Sequence, residues 1–145
     1  MVGAHTDSPC LKVKPNPDRK KKSYHQLGVE VYGGVLLNPW FDRDLSLAGR
    51  VTHKTANGQV ENSLVNLVRP IAVIPSLAIH LDREANNNRK VNPETDMKPI
   101  LLQPQDEYTL QNLIGREVTN EAILAAALRF YAPTPAARVG ARQEG

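Results

Sequence analysis

The stretch VGAHTDSPC, Val2 to Cys10, sets His5 two residues before Asp7 and runs into Ser8-Pro9. A short apolar start followed by this polar triplet is the pattern of a strand handing its last residues to a loop. A histidine there can offer a neutral ring nitrogen to zinc, and a nearby carboxylate can fix the ring's orientation from behind. The competing reading is an ordinary surface histidine, because H-x-D alone is a weak pattern. A catalytic zinc needs about three protein ligands and an open position. The chain has four histidines, at 5, 25, 53 and 80, and no H-E-x-x-H. His25 adjoins a lysine run and His53 falls in a hairpin, so both read as solvated.

His80 lies in SLAIHLD. If that segment is extended, Leu77, Ile79 and Leu81 share one face, and Ala78, His80 and Asp82 point to the other. The alternative is a half-buried histidine bonded to backbone, since histidine is a residue of intermediate burial. Asp42 and Asp44 flank Arg43 in NPWFDRDLSLAGR; on a strand they share one face, roughly 6–7 Å apart. That spacing is compatible with a paired-carboxylate device, although acids beside Trp40 and Phe41 read more simply as a structural corner or an interface. Cys10, the only cysteine, has no base partner in sequence and cannot form an internal disulfide.

The elements that must position these residues are mostly strands. Asn57-Gly58 predicts a tight turn with two positive-φ residues, joining strands over about Arg50 to Ala56 and Gln59 to Leu67. A second hairpin sets PNPDRKKKS as a loop between CLKVK and HQLGVEVYGG, and Gly33-Gly34 marks a bulge or a close backbone approach. Pro70 and Pro75 argue against an unbroken strand or helix through RPIAVIPSLAIHLDRE. ANNNRKVNPETDMKP reads as an exposed loop. PQDEYTLQNLIG predicts a short helix closed by Gly115. TNEAILAAALRFYAP predicts a longer one, capped by Thr119 or Asn120 and burying Ile123, Leu124, Ala127, Leu128 and Tyr131. These readings give one domain: mainly β, a roll-like or barrel-like antiparallel sheet with one or two short helices near the C-terminus.

Composition agrees. With 145 residues, 41% hydrophobic and 23% charged, the chain has the makeup of an ordinary soluble domain, able to bury roughly 68–70% of its unfolded surface. No apolar run approaches the ~20 residues of a membrane span, and the N-terminus lacks the basic head of a secretory signal, so a cytoplasmic protein is expected. The net charge of +3 gathers at Lys20, Lys21 and Lys22. That run suggests nucleic acid, but aromatic residues make up 5% and show no stacking array; neither nucleic acid nor a membrane is the expected partner.

Five stretches, GAHTDSPCLKVKP, LGVEVYGG, PWFDRDLSLAGRV, RPIAVIPSLAIHLDRE and NPETDMKPIL, in this order and at these separations, together resemble the aspartyl aminopeptidase family of zinc metallopeptidases. The resemblance runs from Val2 to about Leu102 and is looser from Gln103 onward. It implies an enzyme that removes N-terminal Asp or Glu from peptides with two zinc ions, which polarise the carbonyl and acidify the attacking water. His5 then corresponds to a zinc ligand and Asp7 to its supporting carboxylate. His80 matches a histidine that one subunit reaches into its neighbour's active site to help hold substrate.

In that family the H-T-D-S-P motif lies inside a longer chain, and the remaining ligands and the general base come downstream. The resemblance therefore implies that residues 1–145 are the smaller, inserted domain, with junctions to a catalytic α/β domain at 1–9 and about 132–145. Its expected role is dimerisation and covering of the active site, and its zinc site is expected to be incomplete and the piece alone inactive. The rival reading is a non-enzymatic, self-associating module built on the apolar segment from Ile71 to Leu81.

Overall fold

Strand β1 (Cys10–Lys21) alternates Leu11 and Val13 with Lys12 and Lys14, and its apolar members turn inward: Leu11 and Val13 are buried. Strand β2 (Tyr24–Tyr32) answers with buried Leu27 and Val29, and Val13 pairs with Val29. A computed structural model describes residues 9–101, 109–118 and 122–132. PNPDRKKKS is not a loop. Asp18 to Lys21 continue the ladder opposite Leu27 to Tyr24, and the chain reverses at Lys22-Ser23 with Lys22 at φ 54°. The register shifts between Val13 and Asp18, where Pro15 and Pro17 have no N–H to give, so the strand bulges instead of ending. Strand β2 stops at Gly33, which turns left-handed at φ 78° rather than forming a bulge.

Strands β3 (Leu45–Lys54) and β4 (Val60–Val73) form the second hairpin, both longer than expected. The turn differs too. Thr55 O accepts the Gly58 N–H at 2.9 Å, and only Gly58 has positive φ, at 81°. That is a three-residue loop closed by a left-handed glycine. Pro70 does not break β4, because the β3–β4 register is irregular between Leu45 and Leu47, opposite Ala72 and Leu67. No ladder bond is asked of Pro70 there, and the buried Ser46 hydroxyl donates to Arg69 O at 2.9 Å in its place.

Of the longer helix expected over residues 119–133, the stretch Ala122–Tyr131 is a strand, and the expected caps Thr119 and Asn120 lie outside the described residues. β6 (Ala122–Tyr131) pairs antiparallel with β3 from Ser46–Tyr131 to Lys54–Ala122, and with β1 at Leu11–Phe130 and Lys12–Arg129. Helix preference of alanine and leucine is worth under about 1 kcal/mol per residue, a weak bias that pairing with the edges of both β3 and β1 overrides. Burial follows period two: Leu128 and Phe130 point inward. Ile123 is half-buried and Leu124, the extra residue where the β3–β6 register shifts, is 57% exposed. The close-approach glycine is Gly49, where a Cβ would fall 2.1 Å from Ala127 O.

The strands close into a barrel in the order β1-β2-β5-β4-β3-β6, with β5 (Ile100–Leu101) bridging β2 and β4. Two short α-helices accompany it among the described residues. The segment read as an exposed loop holds α1 (Pro93–Asp96), capped by the Asn92 side chain and tied to β1 by Lys14, whose ammonium lies 2.8 Å from Glu94. The expected short helix is present as α2 (Leu110–Gly115), capped by Thr109; its earlier residues 104–108 lie outside the described ones. Leu110, Leu113 and Ile114 join the core.

Phe130→Ala is expected to cost about 3–5 kcal/mol of stability, and Leu124→Ala to stay within roughly 0.5 kcal/mol of neutral. Urea unfolding of both variants checks this; a larger loss at Leu124 than at Phe130 would restore the helical face.

Candidate functional site

Ile74 continues the sheet one residue past β4 by a parallel bridge to Phe41, and Pro75 then ends it for want of an N–H. The chain leaves the barrel rim at this point and carries His80 outward. SLAIHLD is not extended. Ala78 O accepts the N–H groups of Leu81 (2.8 Å) and Asp82 (3.2 Å), so residues 78–82 form a turn with exposed His80 within it. With no strand alongside, the backbone satisfies itself locally. Leu77, Ile79 and Leu81 consequently share no buried face; they are 60%, 49% and 73% exposed.

The foot of this loop is fastened to the segment before β3. Asp42 N donates to Ile74 O at 2.8 Å, and the Asp42 carboxylate accepts the Ser76 N–H at 2.8 Å. Asp42 sits in the left-handed region at φ 55°, which aspartate tolerates better than most residues. The returning limb brings Arg89 to the same place. Its guanidinium stacks over the Phe41 ring at 3.9 Å, donates to Ser76 Oγ at 3.3 Å and lies 3.7 Å from the Asp82 carboxylate. A cleft of about 470 Å³ opens beside this neck, with Phe41, Leu77, Leu81 and Arg89 in its wall. The Ser76 amide, then the Ser76 hydroxyl and the Arg89 charge, hold the Asp42 carboxyl below its ordinary value of 3.8.

Asp42 and Asp44 are therefore not a dyad on one strand face, because no strand runs through them. His53 is not solvated; it is buried in the barrel and hydrogen-bonded to Ser63 Oγ at 2.8 Å. His25 is half-buried, 2.7 Å from an Asp18 carboxylate oxygen that also accepts the Leu110 N–H. Cys10 is buried. His5 and Asp7 lie outside the described residues. Among the described residues no three His, Cys, Asp or Glu side chains gather to hold a metal ion. No described helix is long and apolar enough to cross a membrane. Sequence reasoning missed Ser76 and Arg89. Arg89 sits in a polar run with the look of a solvated loop, and only the fold brings it to Phe41.

The sequence matches the family of Aminopeptidase I zinc metalloprotease (M18) over residues 1–144. It is 51% identical to "Probable M18 family aminopeptidase 2" of Ectopseudomonas mendocina (strain ymp) over 152 residues, covering 99% of this chain and 35% of that protein. The chain thus spans about a third of the length of the curated relatives it matches. The structure of Chaetomium thermophilum mApe1 superposes with a TM-score of 0.74 at 30% identity, over 90% of this chain and 33% of that one. The S. cerevisiae mApe1 dodecamer, at 22% identity, TM-score 0.69 and coverage of 90% and 30%, shares the fold.

Because the folded Asp42 carboxyl is held below 3.8, its contribution to the loop's foot is present above the unfolded value and lost as pH falls through the lower folded one. An NMR titration of the Asp42 side-chain carbon should give a midpoint below 3.8, with no change between pH 5 and 8. A midpoint at or above 3.8 would contradict the Ser76 contact.

Proposed function

The chain belongs to the Aminopeptidase I (M18) family of zinc metalloproteases, and from that footing we propose that it is part of a cytoplasmic aminopeptidase that removes N-terminal Asp or Glu from peptides. The observation that carries this reading is the family match over residues 1–144, which takes in His5-Thr6-Asp7 and the His80 loop together. In this reading His5 is a ligand to one of two zinc ions and Asp7 orients it. The remaining ligands come from the part of the protein that the curated relatives have and this chain does not span.

The barrel serves as the inserted domain that mediates dimerisation and covers the active site. Two features support that role. Leu11 pairs with Phe130, so the first and last strands run side by side, as two junctions to a second domain require. The loop of residues 75–90 projects Leu77, Ile79 and Leu81 from a polar neck, which is how a protein presents an apolar contact to a partner surface. His80 rides among them and, in the dimer, reaches the neighbouring subunit's substrate. The apolar patch is confined to the loop, because Ile71, Ala72 and Ile74 are core residues.

The full-length protein should release aspartate and glutamate, but not leucine, from the N-terminus of short peptides, lose activity to a zinc chelator and regain it with zinc. Asp7→Asn should cost roughly 10–100-fold in metal affinity or activity, and residues 1–145 alone should show no turnover. Preference for a neutral N-terminal residue would refute the acidic specificity, and turnover by the piece alone would refute the incomplete site.

A further inference from the structure

We infer that Arg89, with Asp42, is a positioning residue for the aminopeptidase reaction: it closes the neck of the His80 loop and so fixes where the imidazole stands. The inference rests on the reading of His80 given above and adds to it the residues that make that role physically possible. An imidazole carried on an exposed loop, with exposed side chains on either side, has no packing of its own to hold it. Its position must come from the loop's attachment.

The attachment has two limbs and one crossing point. On the outgoing limb, the Ser76 amide is bound by the Asp42 carboxylate. On the returning limb, Arg89 lies flat on Phe41, whose backbone bridges to Ile74 in the sheet. Arg89 then joins the limbs: Nη1 bonds Ser76 Oγ, and Nε faces the carboxylate of Asp82. Asp82 closes the turn that contains His80, through its N–H to Ala78 O. Only Leu81 therefore separates His80 from a residue whose carboxylate faces Arg89. Arginine suits this post and lysine does not, since a planar guanidinium stacks on a ring while presenting donors at its edge. The left-handed backbone of Asp42 is a conformation that the surrounding contacts must sustain, as is common where geometry serves a site.

The test is a double-mutant cycle in the full-length enzyme, with kcat and KM measured on a peptide bearing N-terminal aspartate. His80→Ala sets the scale. Arg89→Ala should lower kcat/KM by roughly 10- to 100-fold, the size of effect expected from displacing a substrate-holding group by about 1 Å. It should divide that loss between kcat and KM in the same proportions as His80→Ala, and add little in the His80→Ala background. Asp42→Ala should behave likewise, while Arg89→Lys should recover only a small part. Circular dichroism and size-exclusion profiles of Arg89→Ala should match the parent, because the contacts lie outside the core. Losses that multiply fully in the double variant, or an Arg89→Ala enzyme with unchanged kinetics, would overturn the inference while leaving His80's role standing. An active His80→Ala enzyme with unchanged constants would overturn the reading of His80, and this inference with it.

Discussion

A sheet that ends in two open edges loses both when one strand of its own chain pairs with each of them. β6 is that strand, bonded along β3 on one side and to Leu11 and Lys12 of β1 on the other. Closure explains most of what is unusual about its neighbours. It requires Gly49, because the β6 backbone comes too near at Ala127 for any Cβ, and it places Phe130 and Leu128 in the centre of the core. Where β4 runs out beyond Pro70, Ala72 and Val73 remain paired with Leu45 and with β5, and the His80 loop starts from that rim. A loop can hold a side chain in register with a distant site only if its base does not move.

Local patterns carried the first three strands, the part of β4 up to Leu67 and α2, for physical reasons that are easy to name. Leu11 and Val13 against Lys12 and Lys14 have period two, Asn57-Gly58 turns, and Thr109 caps. β6 was illegible because its alanines and leucines favour a helix in isolation, and the bond partners that override the preference are supplied by β1 and β3, far away in sequence. The same limit hid the path of β4. Pro70 marks a break only if a ladder bond is due there, and the register shift that excuses it depends on Ser46 in another strand.

The site was legible in part. His80 could be picked out by type, and the five family-like stretches singled out His5 and Asp7, which lie outside the described residues. What no pattern gave is the way His80 is held. Its segment looked extended because apolar and polar residues alternate in SLAIHLD, yet alternation makes a strand only when another strand lies beside it. Asp42 reads most simply as a structural corner and is one, whereas Arg89 is unmarked within a polar run, and each takes its role from a partner brought close by the barrel: Phe41 and Ser76 for the arginine, Ser76 for the aspartate.

These contacts unite a closed barrel and an exposed apolar loop into one device that can be read at single amides. Hydrogen exchange at Ser76 and Leu81, followed by NMR at neutral pH, tests it most directly. Both amides should exchange far more slowly than in an unstructured chain, and Ser76 should lose its protection in Asp42→Ala. Exchange of both at free-chain rates would mean that the loop is not fastened to the barrel, and would contradict the account.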